Sequence, residues 1–280
     1  MKTAVVTDST AYLTPEERER YHIYMVPLCV NIAGVVYDEE VDLTAGEFYD
    51  KVRGAKEFPK TTQPPIGKFV ELFEQLSKDY EDIVTIHLSS GISGTYQGAL
   101  QAGDMVDGVN VYGFDTEVAA YAQGIYVKEA AKLAATGASG QEIMDHLEAL
   151  RPTMGAYFIV DDLAHLQRGG RLSAAAALIG GLLQVKPILH FQDKVIVPFE
   201  KIRTRKKALR RAEEKLAEAL QQTPQLQATV IHANCEEEAK EWMASLQESY
   251  PTVDFTLSYF GPVIGTHLGE GSVALGWMKK

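Results

Sequence analysis

A strand, a glycine-containing turn and a helix follow one another in the first half of the chain, and this junction constrains the fold most. The apolar run at residues 83–88 predicts a strand, and the apolar spacing between Tyr96 and Met105 predicts a helix. The turn between them brings backbone N–H groups to the positive end of a helix, which favours an oxyanion. The segment therefore indicates a phosphate or carboxylate site, or alternatively a capped βα turn without a ligand.

The same alternation of strands and helices extends across the first half of the chain. Capping boxes, in which a Ser or Thr is followed three residues later by Glu, predict helix starts at Thr14, Thr44 and Ser139. Further strands are predicted at residues 4–6, 24–32 and 109–114. Strands that alternate with helices form a largely parallel sheet covered on both faces.

The second half of the chain predicts a mixed sheet, because residues 185–191 and 194–202 form a plausible hairpin. A short helix is predicted at residues 162–167, and an alanine- and leucine-rich helix at 173–179. The 280 residues allow two modest domains. We therefore expect a two-domain α/β protein, with an N-terminal domain at residues 1–153 and a C-terminal domain at residues 154–280.

Composition excludes some classes of protein. The net charge of −11 argues against a general nucleic-acid binder. Two cysteines form neither a disulfide framework nor a metal cluster, which favours a reducing cytoplasm. The N-terminus does not read as a signal peptide, and the most apolar run, residues 174–183, is shorter than the roughly 20 residues of a membrane span. We expect a cytoplasmic protein and, by default, a monomer.

Three other polar segments are candidates for a site. Residues 7–10 follow the first strand, where open α/β sheets place ligands, although ordinary turn chemistry explains them equally. Prolines hold residues 58–65 extended, with Thr61, Thr62 and an amide on the restrained loop. The glycine-rich segment 261–271 predicts a loop around one imidazole, which is either a ligand contact or an incidental surface histidine.

Together these motifs resemble the DegV family, also known as FakB-type fatty-acid-binding proteins, over nearly the whole chain. The matching segments are TDS at 7–9, TTQP at 61–64, SSGISGTYQ at 89–97, DT at 115–116, LAHLQRGGR at 163–171, KPIL at 186–189 and GPVIGTHLG at 261–269. The resemblance implies a long-chain fatty acid buried at or near the domain interface, no catalytic residue in this chain, no metal and no cofactor beyond the lipid.

The resemblance also implies roles for individual residues. The residues expected at the fatty-acid carboxylate are Thr61, Thr62, Ser93, Gly94, Thr95, Gly265 and His267. A separate fatty acid kinase subunit of the FakA type would use ATP to form the acyl phosphate, and transient contact with a membrane is allowed. The residues expected to dock this kinase or to recognise phosphate are Arg171, Arg203 and Arg205. Glu270 stands where the family leads us to expect proline, and its carboxylate would raise the pKa of His267 or repel the lipid head group.

Two other functions remain open from the sequence. Ser93, His267 and an acid such as Asp8 would form a hydrolase triad, although the chain has no G-x-S-x-G elbow. A non-enzymatic regulatory module is the third possible function.

Apolar residues available to line a lipid tunnel, or simply to fill the core, are Ile92, Ala119, Ala120, Ile264 and the residues at 174–179, 182 and 183.

Overall fold

The computed structural model describes residues 2–55, 57–161, 163–172 and 186–280. Its N-terminal part is built on a four-stranded sheet with the order β2-β1-β6-β7. The strands are β1 (Thr3–Asp8), β2 (Ile23–Val26), β6 (Asp82–His87) and β7 (Asn110–Asp115). All of them are parallel, so the predicted parallel sheet is confirmed.

Six helices of the N-terminal part accompany this sheet. They are α1 (Pro15–Tyr21), α2 (Ala45–Val52), α3 (Ile66–Leu76), α4 (Thr95–Gly103), α5 (Tyr121–Ala135) and α6 (Gly140–Leu150). The predicted capping boxes are all present, with Thr14, Thr44 and Ser139 each accepting from the backbone N–H three residues later. These local signals succeed because each box satisfies N–H groups that the first helical turn leaves free.

A small antiparallel sheet, which the sequence did not predict, lies beside the parallel one. Its strands are β3 (Cys29–Ile32), β4 (Val35–Asp38) and β5 (Lys60–Thr62), in the order β4-β3-β5. The prediction of one strand at residues 24–32 was wrong, because the chain passes from β2 in one sheet to β3 in another across Pro27. Proline cannot donate to a ladder, so it suits this break between strands. The extended conformation predicted within residues 58–65 is confirmed in β5, but the prediction of a loop was wrong for Thr61 and Thr62, which lie on β5 and pair with β3.

The C-terminal part contains a six-stranded mixed sheet in the order β10-β9-β8-β13-β11-β12. Its strands are β8 (Gly155–Ile159), β9 (Lys186–Gln192), β10 (Val195–Ile202), β11 (Leu226–His232), β12 (Asp254–Tyr259) and β13 (Val273–Lys279). The β9–β10 hairpin and the mixed character of the sheet confirm the predictions. Strand β13 was not predicted, although it joins β8 to β11 in the middle of the sheet. The domain boundary at residues 153/154 stays a prediction.

In the described ranges of the C-terminal part, the helices are α7 (Ala164–Arg168), α8 (Arg205–Gln222), α9 (Glu236–Ser249) and α10 (Pro262–Leu268). The prediction of a glycine-rich loop at residues 261–271 was wrong, because most of it is α10. The helix predicted at residues 173–179 lies outside the described residues. Among the residues that the structure describes, no helix combines the length and apolar character needed to cross a bilayer.

Candidate functional site

A narrow apolar cavity lies between the six-stranded sheet and the start of α5, and it holds about 780 Å³ of space, counting the part open to solvent. The apolar residues and the glycine of its wall are Leu28, Leu88, Ile92, Ala119, Ala120, Ala122, Ala156, Phe158, Leu166, Phe191, Ile196, Ile231, Phe260, Val263, Ile264, Leu268, Ala274, Leu275 and Gly276.

Strand pairing explains why small residues lie side by side in part of this wall. Ala274 pairs with Phe158, and Gly276 pairs with Ala156, so these side chains share one face of the sheet. Small residues on that face leave space between the sheet and α5. Ile92, Ala119, Ala120 and Ile264 line the cavity, as the tunnel interpretation of the sequence required, whereas the candidates at 174–179, 182 and 183 lie outside the described residues.

Polar side chains are few in this lining, and they come from distant parts of the chain. Among the described residues, the polar members of the wall are Thr61, Thr62, Gln63, Ser93, Arg171 and His267. Thr61 Oγ1 lies 2.8 Å from His267 Nε2, across a sequence separation of 206 residues. Strand β5 and helix α10 therefore meet at the polar part of the cavity lining, which we call the mouth: Thr61, Thr62, Gln63, Ser93, Arg171 and His267.

His267 occupies the last turn of α10 and is only 8% exposed. Burial lowers its pKa to about 4, and the nearby charges of Arg171 and then His165 act in the same direction. The imidazole is therefore neutral at neutral pH. When Nε2 carries the hydrogen, it donates to Thr61 Oγ1, and the Thr61 hydroxyl hydrogen is then free to donate to a ligand.

The turn before α4 supplies Ser93 to the mouth. Ser93 Oγ lies 2.8 Å from Thr95 Oγ1, and it accepts from the Thr95 backbone N–H at 3.3 Å. Gly94 is the N-cap of α4, and a side chain there would overlap the Gln63 amide. Hydroxyls beside a helix N-terminus are suited to an anion, as the sequence indicated.

The structure brings together some predicted head-group residues and separates others. Thr61, Thr62, Ser93 and His267 line the cavity, whereas Gly94 and Thr95 lie next to it without contributing to the lining. Gly265 faces α2, because a side chain there would crowd the Tyr49 hydroxyl. The binding roles of all these residues stay predictions.

The arginines predicted to dock a kinase do not form one cluster. Arg171 lines the mouth, where its Nε donates to the Ile92 carbonyl at 3.1 Å and its Nη1 donates to the Gly169 carbonyl at 2.7 Å. Arg205 instead pairs with Glu238 at 2.5 Å and Asp161 at 3.3 Å, and Arg203 is exposed. Arg171 is thus placed with the head-group residues rather than apart from them.

The hydrolase triad is not assembled. The Asp8 carboxylate lies 2.9 Å from His87 Nδ1 and accepts from the Gln123 amide and the Thr10 hydroxyl. His267 Nδ1, the atom that a triad acid would hold, is buried without a hydrogen-bond partner among the described residues. No carboxylate among the described residues accepts from this imidazole, so the arrangement of Ser93, His267 and Asp8 that a triad requires is not found there.

The expectation that Glu270 raises the pKa of His267 was wrong, whereas repulsion of the lipid head group by Glu270 stays a prediction. Glu270 accepts from Arg53 Nη2 at 2.8 Å and from the Asn234 amide at 2.7 Å, and the pKa of His267 is lowered by burial rather than raised by a carboxylate.

The described ranges also contain no group of three or more His, Cys, Asp or Glu side chains that could hold a metal ion.

Sequence reasoning missed the carboxyl group that supports α10. Glu39 is fully buried behind this helix, with Ser9 and Tyr12 as partners. In the sequence it is one of three consecutive acidic residues, Asp38 to Glu40, and only its long-range contacts distinguish it.

Comparisons with known proteins agree with this fold. The model of the DegV family, described as uncharacterised proteins, matches residues 2–280. The chain is 54% identical to Protein DegV of Bacillus subtilis over 281 residues, covering 100% of both chains. The crystal structure of DegV from that organism, called a fatty acid binding protein, superposes with a TM-score of 0.95 over 100% of both chains.

Two more distant structures resemble the chain over its length. A DegV family protein from Thermus thermophilus, described by its fatty acid binding, is 28% identical with a TM-score of 0.94 and 100% coverage of both chains. A stearic acid-binding protein from Eubacterium ventriosum is 25% identical with a TM-score of 0.91, covering 99% of this chain and 98% of the other.

Proposed function

Because the chain belongs to the DegV family, we propose that it binds one long-chain fatty acid, with the alkyl tail in the apolar cavity and the carboxylate at the mouth. The observation that carries this proposal is the cavity itself, whose lining is mostly apolar and includes a small group of polar side chains in which Thr61 contacts His267. The solved relatives that are named for fatty acid or stearic acid binding support the same ligand class.

The tail would supply most of the binding free energy. A C16 acid carries about 14 methylenes, and at roughly 0.8 kcal/mol each their burial contributes about 11 kcal/mol before ordering costs. The mouth therefore needs only to fix the orientation of the ligand.

The charges at the mouth favour a carboxylate. Arg171 supplies a permanent positive charge in the lining, and the start of α4 adds the positive end of a helix. Thr61 and Ser93 offer hydroxyl donors, whereas neutral His267 adds no charge and orients the Thr61 hydroxyl. Hydrogen bonds from these groups to a carboxylate are of the strong, charge-assisted kind.

We further propose that the bound acid is presented to a separate, cytoplasmic fatty acid kinase subunit. A carboxylate oxygen would attack the γ-phosphorus of ATP held by that kinase, and the products would be an acyl phosphate and ADP. The exposed Arg203 and the arginine of the mouth, Arg171, would face such a partner. Arg205, held by Glu238, would act by shaping the surface.

Mass spectrometry of small molecules extracted from the purified protein under denaturing conditions tests the ligand. We expect a long-chain fatty acid in near-stoichiometric amount, and delipidated protein should rebind palmitate or oleate. Protein that carries no lipid and takes up neither acid would exclude this function and favour an interaction module.

Arg171→Ala tests the division between binding and phosphoryl transfer. If Arg171 serves the kinase, the variant retains palmitate and loses acyl phosphate formation with kinase and ATP. If it serves the carboxylate, palmitate affinity itself falls. Arg210→Ala is the matched control, because that side chain is 81% exposed on α8.

A further inference from the structure

A buried carboxyl group lies behind helix α10, outside the cavity lining. Glu39 has no exposed surface. Its Oε1 accepts from the Val263 backbone N–H at 2.6 Å and from the Tyr12 hydroxyl at 3.0 Å. Its Oε2 accepts from Ser9 Oγ at 2.5 Å. A buried carboxyl with three donors is held in one orientation, because each oxygen has a fixed partner.

These contacts act on the first turn of α10. Val263 and Ile264 carry N–H groups that cannot bond within the helix. Glu39 accepts the first, and the Tyr12 hydroxyl accepts the second at 3.1 Å. Tyr12 also packs against Gly261, where a side chain would overlap its ring. The start of α10 is therefore fixed by groups from the first forty residues of the chain.

The far end of the same short helix carries the head-group histidine. Helix α10 runs from Pro262 to Leu268, and Ile264, His267 and Leu268 all line the cavity. A seven-residue helix is about two turns long and moves as a unit. A shift at its start therefore changes where His267 meets Thr61.

The other side of Glu39 is tied to the cavity wall. Ser9 Oγ accepts from the Leu28 backbone N–H at 3.0 Å, and the Glu39 backbone N–H donates to the Leu28 carbonyl at 2.9 Å. Leu28 lines the cavity. Glu39 thus connects α10 with the chain that leads into β3, and β3 pairs with β5, where Thr61 lies.

We propose that Glu39 is a positioning residue for the mouth: with Tyr12 it fixes the start of α10 and thereby sets the 2.8 Å contact between His267 and Thr61. Its effect on ligand affinity rests on the proposed fatty-acid function, whereas its effect on the His267–Thr61 contact does not. Glu39 lies behind the helix and does not touch the ligand.

Glu40 provides a matched control from the adjacent position. It is half-buried and accepts from the Tyr259 hydroxyl at 2.7 Å, and within the described part of the chain it makes no hydrogen bond to α10. Glu39→Ala leaves the Val263 N–H and the Tyr12 hydroxyl without their acceptor, whereas Glu39→Gln retains an acceptor oxygen. Tyr12→Phe removes the bond to Ile264 while keeping the ring against Gly261.

The experiment titrates delipidated full-length variants with palmitate and reports affinity and stoichiometry separately. We expect Glu39→Ala and Tyr12→Phe to weaken affinity about tenfold, as for loss of one buried hydrogen bond, with one palmitate still bound per folded molecule. Glu39→Gln should restore most of the affinity, and Glu40→Ala should stay within about twofold of the unaltered protein.

A purely structural role would lower the number of binding-competent molecules and leave the affinity of the remainder unchanged, and that result overturns the proposal. The ¹⁵N resonance of His267 Nε2, followed without lipid, should move in Glu39→Ala and Tyr12→Phe but not in Glu40→Ala. If this resonance does not move in Glu39→Ala and Tyr12→Phe, the proposal is also overturned. If the unaltered protein fails to bind palmitate, the fatty-acid function fails, and the ¹⁵N measurement still decides the role of Glu39.

Discussion

Two buried histidines of this chain differ in how their ring nitrogens are used. Both nitrogens of His87 have partners, Asp8 Oδ2 at 2.9 Å and Thr85 Oγ1 at 2.6 Å. His267 has only Thr61, and its Nδ1 is buried without a hydrogen-bond partner in the part of the chain that the structure describes. A complete network stabilises a fold, whereas the single bond from His267 to Thr61 leaves the Thr61 hydroxyl hydrogen able to donate to another group.

The His87 network and the mouth also differ in where they lie in the fold. The His87 network lies at the carboxyl ends of β1 and β6, where a parallel sheet often holds its ligand. Here Asp8 is fully engaged with neighbouring side chains, so the turn interpretation of residues 7–10 fits the structure better than a ligand site. The polar groups available to a ligand lie instead at the mouth, at the junction of α10, β5 and the turn before α4.

Asp8→Ala should cause the largest loss of stability. It removes the acceptor of His87 Nδ1, the Leu88 N–H and the Gln123 amide, all of which stay buried. The free energy of unfolding should fall by about 3–5 kcal/mol, measured by urea titration of delipidated protein. His267→Ala is the comparison variant and should lose much less. Equal losses would mean that the two histidines play the same structural role.

Affinities for fatty acids of different chain length separate the contribution of the apolar cavity wall from that of the mouth. Shortening the ligand from C16 to C12 removes four methylenes, about 3 kcal/mol or roughly a 200-fold loss of affinity. The mouth is the same for both acids, so the difference measures the wall alone. Equal affinities for palmitate and laurate would show that the tail is not buried in the cavity.

Substitutions at the mouth should weaken binding while leaving stability nearly unchanged. Ser93→Ala and His267→Ala each remove a group from the head-group end and should cost about 1–3 kcal/mol in palmitate affinity. Ser77→Ala, at the end of α3 and outside the lining, serves as the control. If Ser93→Ala binds palmitate as tightly as the control, the carboxylate does not lie against Ser93.

The pH dependence of stability should distinguish His267 from Glu39, because their pKa values are shifted in opposite ways. Burial lowers the pKa of His267 to about 4, so its contribution is present above its ordinary value near 6.5 and is lost as pH falls toward 4. Burial raises the pKa of Glu39 to about 8, so its contribution is present below its ordinary value near 4.5 and is lost as pH rises toward 8.

Either group changes stability by at most about 1.4 kcal/mol per pH unit, the limit for a single proton. We expect His267→Ala to flatten the loss of unfolding free energy between pH 6 and pH 4, and Glu39→Gln to flatten the loss between pH 5 and pH 8. Urea titrations at several pH values measure both slopes. If the variants show the same slopes as the unaltered protein, folding does not shift the pKa values of these two groups.

The sequence predicted best where the determining interactions are local. Capping boxes at Thr14, Thr44 and Ser139 lie within one helical turn, and all three start helices. Segment 261–271 failed because its glycines indicate a loop, whereas contacts from Glu39 and Tyr12 stabilise the helix there. Spacing alone also cannot pair Thr61 with His267; the family resemblance named both residues, and the packing of β5 against α10 explains their contact.

Glu270→Ala should produce the smallest effect, and it tests whether the mouth is insulated from nearby surface charge. The Glu270–Arg53 pair is exposed, with 42% and 58% of the side chains accessible, and exposed pairs contribute about 0–1 kcal/mol. Palmitate affinity should therefore stay within about twofold of the unaltered protein, with Asp50→Ala as the control, since Asp50 also pairs with Arg53. A tenfold gain in affinity would show that the Glu270 carboxylate repels the head group after all. The mouth would then extend beyond its lining residues, and the contrast with the closed His87 network would have to include the charges that surround each histidine.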